Sequence, residues 1–151
     1  MLEDVWRPNT TVAAVIEREG RFLMVEEISN GNRVINQPAG HLEDDETFLE
    51  AVQREVLEET GHPFHAESLL GCYRWRNANN GLTFLRLAYI GYVADPLPDA
   101  SIDADILDVK WMSYDEIQSF GRLRSPLVLK CLDDYLAGTR YPLTFVQEVL
   151  G

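Results

Sequence analysis

Residues 42–61 carry eight acidic side chains and one base, Arg54, and the way those acids fall around a helix limits this chain more than any other feature. Asp44, Asp45 or Thr47 can cap the start and Gly61 followed by Pro63 ends it, so a helix is expected over residues 46–60. At about 100° per residue counted from Phe48, Leu49, Val52 and Val56 fall near roughly 100°, 40° and 80°, and the buried stripe centres near about 50°. Glu50 and Arg54 lie opposite. Glu55 and Glu59, at roughly 340° and 20°, sit at the margin of the apolar stripe or within it, with Glu58 near about 280°.

Solvated acids have no reason to choose that side. Like charges three and four residues apart repel, and a carboxylate beside a core is disfavoured unless it is paired or bound to a metal. Arg54 points too far round to neutralise all three. A hard divalent cation removes the conflict, because magnesium takes oxygen ligands and is commonly shared between a few carboxylates and substrate phosphates. An acidic amphipathic helix with incidental ion pairs is the plain alternative at this point.

The formal net charge of −12 points the same way. With no broad basic stripe, the chain repels nucleic acid and polyphosphates at long range. A nucleic-acid partner is therefore not expected, and an anionic ligand must bring a cation with it. Cys72 and Cys131 belong to no CxxC pair and are expected to be ordinary thiols. Residues 1–9 lack the order of a secretory signal and no apolar run approaches a membrane span, so a cytoplasmic location without a membrane partner is expected.

A length of 151 residues at 46% hydrophobic content suits one core, and one domain over residues 1–151. Residues 11–16 and 21–26 read as a hairpin, and 34–37 leads into Pro38-Ala39-Gly40. Further strands are expected at 68–75, 83–93 and 109–112, with a turn at 77–81. Ser113 and Glu116 form a capping box for a short helix through Phe120, and Pro126 opens another that ends near Gly138. The tail from Thr139 carries no clear signal. This order predicts an α/β fold, a mixed sheet covered by helices on both faces.

Gly40, Glu46 and the run Arg54-Glu55-Val56-Leu57-Glu58-Glu59-Thr60-Gly61, at these spacings, resemble the Nudix box; only His62 departs from its pattern. The resemblance implies the Nudix fold, an α/β/α sandwich with a mixed β-sheet, and Mg²⁺-dependent hydrolysis of phosphate anhydrides, with Mn²⁺ as a substitute. It also implies that Glu55, Glu58, Glu59 and the Gly40 carbonyl hold the metal and that Glu58 can serve as general base. Glu46 and Arg54 would form a buried pair joining loop to helix and orienting Glu55 or Glu58. Residues 11–13, 36–43, 84–86, 123–128 and 140–143 further resemble bacterial phosphatases of this family. Those release orthophosphate from nucleoside tri- and diphosphates and from hydroxymethylpyrimidine and thiamine diphosphates. The expected partner is then a small nucleotide or diphosphate, and the protein a monomer or homodimer. Two other readings are a Nudix pyrophosphatase cutting ADP-ribose or a dinucleoside polyphosphate, and a non-catalytic nucleotide-sensing module.

Anion clamps outside the box must be basic, and Arg33, Arg74, Arg76, Arg86, Arg124 and Arg140 are the candidates. Arg86 and Arg124 rank first because they lie in the resembling stretches. Trp75, Tyr73 or Phe84 could stack on a flat heterocycle, whereas Trp111 is assigned to the core. His41 is read as a loop residue near the phosphate. An acid beyond the box is sought among Asp103, Asp105 and Asp108. The segment 99–108 lacks the glycine and closing glutamate of a calcium loop.

Overall fold

Side chains two apart on a strand share a face, and this alternation sorts the strands of the chain between two cores. On the first strand, β1 (Asn9–Val15), Val12 and Ala14 enter one core and Val15 the other. Leu69 and Leu70 split likewise, as do Leu87 and Ala88. The computed structural model describes residues 4–151.

After β1 come β2 (Glu17–Arg18), β3 (Arg21–Ser29), β4 (Asn32–Asn36), β5 (Ala39–His41) and α1 (Phe48–Thr60). Then follow β6 (Phe64–Arg76), β7 (Thr83–Val93), β8 (Ile106–Met112), α2 (Tyr114–Phe120), α3 (Leu127–Leu136) and a 3₁₀ turn at Leu143–Phe145. Strands β5, β1, β7 and β6 lie side by side in one sheet, with β1 parallel to β7 and the other pairs antiparallel. Strand β3 pairs with β2, β4 and β8 in a second sheet. Helix α1 covers one face of this β layer and α2 and α3 the other, giving the expected α/β/α sandwich.

The mixed β layer is divided into two four-stranded sheets. One expectation needs correction: the hairpin is shorter than its sequence suggests, with Glu17 and Arg18 paired to Phe22 and Arg21 across Glu19 and Gly20 at positive φ and one further bond from the Leu23 N–H to the Ile16 carbonyl. Strand β1 leaves to pair with β5 and β7 instead. Both strands are apolar enough to be buried on two faces, and local pattern does not say which partner each will take.

The helix ends follow their signals. Thr47 caps α1 in a reciprocal box with Glu50, and Gly61 closes it in the left-handed conformation at φ 77°, its N–H donating to Leu57 O. The Ser113–Glu116 box opens α2 as expected, while Pro126 takes the cap position of α3 rather than its first turn. The tail, silent in sequence, returns to α1: Glu148 accepts the Phe48 N–H at 3.1 Å. Among the described residues no helix is long and apolar enough to cross a membrane, and both cysteines are free.

Candidate active site

The register of α1 puts Ala51, Val52, Val56 and Thr60 in the core and brings Glu55 and Glu59, each only 8% exposed, to the edge of that stripe. Strand β5 crosses above them, held by its pairing to β1. The Ala39 N–H donates to Glu59 Oε1 at 2.9 Å. Gly40 lies so close to the Glu55 carboxyl group that a Cβ there would overlap it. The glycine is therefore demanded by close approach, since its φ is not positive.

Arg54 binds this corner together from outside. Its Nε and Nη2 grip both oxygens of Glu46, Nη2 also meets the His41 carbonyl, and Nη1 reaches Glu55 Oε1 at 2.7 Å and Glu58 Oε2 at 3.3 Å. The expected Glu46–Arg54 tie between loop and helix is thus present, and Arg54 reaches two of the three glutamates. Among the described residues no cation pairs with Glu59. Burial pushes its carboxyl up to about 9, against the Ala39 hydrogen bond, with the charges of Glu27, Glu55 and Asp103 adding to the rise. Burial also raises Glu55, here opposed by Arg54, whereas Arg54 holds Glu46 below the usual carboxylate range. Glu58 stands on the flank with its side chain 41% exposed.

A cavity of about 360 Å³ opens in front of Glu55 and Glu59. Its far wall carries Trp75 and Phe84, paired across β6 and β7 with rings stacked at 5.7 Å between centroids. Arg86 lies in its floor, 5% exposed, hydrogen-bonded to Asn36 Oδ1 and Gln37 Oε1. Arg124, before α3, faces the same space and pairs with Glu27 at 2.7 Å. Gly40 and His41 also line it, the latter from β5 rather than a loop.

Several candidates fall elsewhere. Arg33 does not line the cavity: on β4 its side chain is 59% exposed and pairs with Glu26 at 3.3 Å, because alternation turns it away from the site. Arg74 lies over Trp6, Arg76 reaches Thr83, and Arg140 bonds carbonyls near the end of α3. Glu58 is outside the cavity wall, joined to it through Arg54. None of Asp103, Asp105 and Asp108 lines the cavity, although the charge of Asp103 is felt by Glu55 and Glu59. Trp111, partly buried, packs against the core beside His62 and beneath Arg18, and the His62 Nδ1–H donates to the Ala94 carbonyl at 2.8 Å.

Glu27 is the acid that sequence reading missed. Strand β3 shifts register against β8 between Glu26 and Glu27. Both are buried; Glu26 meets Lys110 and Arg33, while Glu27 faces the cavity. Two consecutive acids within an apolar strand were the available signal.

A profile of the NUDIX domain matches residues 6–130. The chain is 41% identical to the phosphatase NudJ of Escherichia coli K12 over 144 residues, 95% of this chain and 94% of the relative, and to the Shigella flexneri phosphatase NudJ to the same extent. A solved NUDIX hydrolase from Nitrosomonas europaea superposes with a TM-score of 0.91 at 49% identity, covering 95% of this chain and 98% of that one. The NUDIX domain of Shewanella oneidensis NrtR, solved with ADP ribose, shares the fold alone, at 16% identity and a TM-score of 0.71 over 90% of this chain and 91% of that one.

Proposed function

The chain belongs to the Nudix hydrolases, enzymes of phosphate anhydrides, and from that premise we propose that it is a magnesium-dependent phosphatase of nucleoside tri- and diphosphates and of thiamine-pathway diphosphates, releasing orthophosphate. One observation carries the reading: two buried carboxylates with too little positive charge and one buried guanidinium face the same cavity. Such a site suits a ligand made of a cation and a polyanion together.

The residues fit a hard dication. Glu55 and Glu59 offer carboxylate oxygens, the Gly40 carbonyl a further one, and Glu58 stands beside them through Arg54. Among the described residues no three acidic, histidine or cysteine side chains form a ready-made cage, so an ion here would share its shell with substrate phosphates and water. When bound, Mg²⁺, or Mn²⁺ in its place, would acidify the attacking water and neutralise charge on the anhydride. Glu58 takes the role of orienting or deprotonating that water. Arg86 and Arg124 hold phosphate oxygens, and Trp75 with Phe84 offers a platform for a flat ring.

A panel of nucleotides and thiamine-related diphosphates, incubated with Mg²⁺ and scored for every phosphorus-containing product, tests this. Orthophosphate is the expected product. A nucleoside monophosphate with a phosphorylated remainder would favour a pyrophosphatase, and no turnover on any member would favour a sensing module.

A further inference from the structure

Arg124, the other cation lining the cavity, meets Glu27, and two further anchored cations also meet carboxylates: Arg54 meets Glu46 and Glu55, and Lys110 meets Glu26. Arg86 is more buried than any of these and has no carboxylate partner among the described residues. Its Nη2 donates to Asn36 Oδ1 at 3.0 Å and its Nη1 to Gln37 Oε1 at 2.8 Å, with Cys131 Sγ beyond at 3.9 Å. Gln37 is 1% exposed and its Nε2 donates to the Val128 carbonyl at 2.8 Å, which fixes the amide orientation. In a chain with 25 acids and 13 bases, neutral acceptors at the deepest cation are informative. They each take one guanidinium N–H and fix the fork without cancelling its charge. A buried charge left in that state is costly until an anion arrives.

The sheet supplies a ruler. Strands β5, β1, β7 and β6 are adjacent in that order. At about 4.8 Å per strand, β7 lies roughly 10 Å and β6 roughly 14 Å from β5. A ligand laid across the sheet therefore meets the carboxylates beneath Gly40 at one end, Arg86 and Phe84 on β7 next, and Trp75 on β6 at the other end.

We propose that Asn36 and Gln37 are positioning residues that keep Arg86 an uncancelled cation for the phosphate retained by the substrate's organic part, and that this part is a flat ring seated on Trp75 and Phe84. The inference rests on the phosphatase reading and adds the direction in which the substrate lies. The outermost phosphorus then sits at the carboxylates. Water oxygen bonds to that phosphorus, its bond to the bridging oxygen breaks, and the bridging oxygen leaves with the ring-bearing monophosphate. The water proton passes to Glu58 or solvent.

Calorimetric titration of AMP and of inorganic phosphate into chelator-treated protein tests the positioning without turnover. The wild type should bind AMP, and Asn36→Asp should bind it about tenfold or more weakly. Thermal stability should hold or rise in that variant, because the new carboxylate pairs with Arg86; a merely structural amide would not separate the two readouts. Gln37→Glu, read in the same way, serves if Asn36→Asp does not fold. Trp75→Leu should weaken AMP and leave inorganic phosphate unchanged. No AMP binding by the wild type, or equal affinity in the Asp variant, overturns the proposal. For direction, hydrolysis of ADP in ¹⁸O-water should label orthophosphate; label in AMP overturns the orientation. Absence of Mg²⁺-dependent turnover would sink the phosphatase reading and leave the AMP titrations interpretable.

Discussion

Arg54 grips Glu46 with two parallel hydrogen bonds, Nε to Oε2 at 2.9 Å and Nη2 to Oε1 at 2.6 Å, and the nitrogen left over, Nη1, reaches Glu55 Oε1 at 2.7 Å. Glu46 belongs to the loop before α1, where its Oε1 also accepts the Glu43 N–H. One guanidinium thereby ties the loop to the helix and sets the direction of a carboxylate at the cavity.

Lysine cannot reproduce that fork. Arg54→Lys should lower kcat/KM by about tenfold or more while keeping the net charge, and Glu46→Gln should cost on the order of 1–2 kcal/mol of stability because the pair is partly solvated. Steady-state kinetics and urea unfolding measure the two effects. Wild-type kinetics in Arg54→Lys would show that Arg54 acts only as a point charge.

Glu59→Gln should abolish most activity with the fold intact. The glutamine oxygen can still accept the Ala39 N–H, and a neutral amide replaces a carboxyl that burial already keeps protonated in the metal-free protein, so the change removes the proposed ligand at little cost to folding. Turnover with Mg²⁺ and the melting temperature in chelator are the readouts, and unchanged turnover would contradict the site.

The pH dependence of the metal-free protein has a definite sign. Glu59 titrates near the ordinary carboxylate value in the unfolded chain and near about 9 when folded, so the folded state holds a proton that the unfolded state has lost between those limits. Its contribution is fully present below about pH 4.5 and declines as pH rises towards 9. Glu55 shifts in the same direction. Melting temperatures in chelator should therefore fall from pH 5 to 9, and added Mg²⁺ should stabilise more at the alkaline end. A chelator curve that rises across this window would refute the buried, cation-poor carboxylate.

Capping of α1 is shared between near and distant residues. Thr47 and Glu50 satisfy each other, and Glu148, a hundred positions away, takes the Phe48 N–H. Thr47→Ala should cost about 1 kcal/mol and Glu148→Gln about half of that or less, since a charge at a helix start adds a modest term. Chemical denaturation checks both, and salt should shrink only the second effect.

Sequence alone carried α1, its stop at Gly61 and the angular placement of Glu55 and Glu59, because helical periodicity acts over a few residues and the conflict between acids and core is local; among Asp44, Asp45 and Thr47 it left the cap open, and the fold uses Thr47. It also carried the Glu46–Arg54 tie, through the spacing that resembles the Nudix box. Packing settled whatever depends on partners distant in the chain. Strand β1 could not be assigned to β5 and β7 from its own residues, and the register shift that turns Glu27 inward exists only where β3 meets β8. Arg33 and Arg86 are both candidate anion clamps by sequence. One is left at the surface beside Glu26, and the other is buried under the cavity between two amides brought from β4 and the residue after it. The difference is physical: a helix face is set by its own period, whereas the charge environment of a strand residue is set by whatever the neighbouring strands and helices place against it.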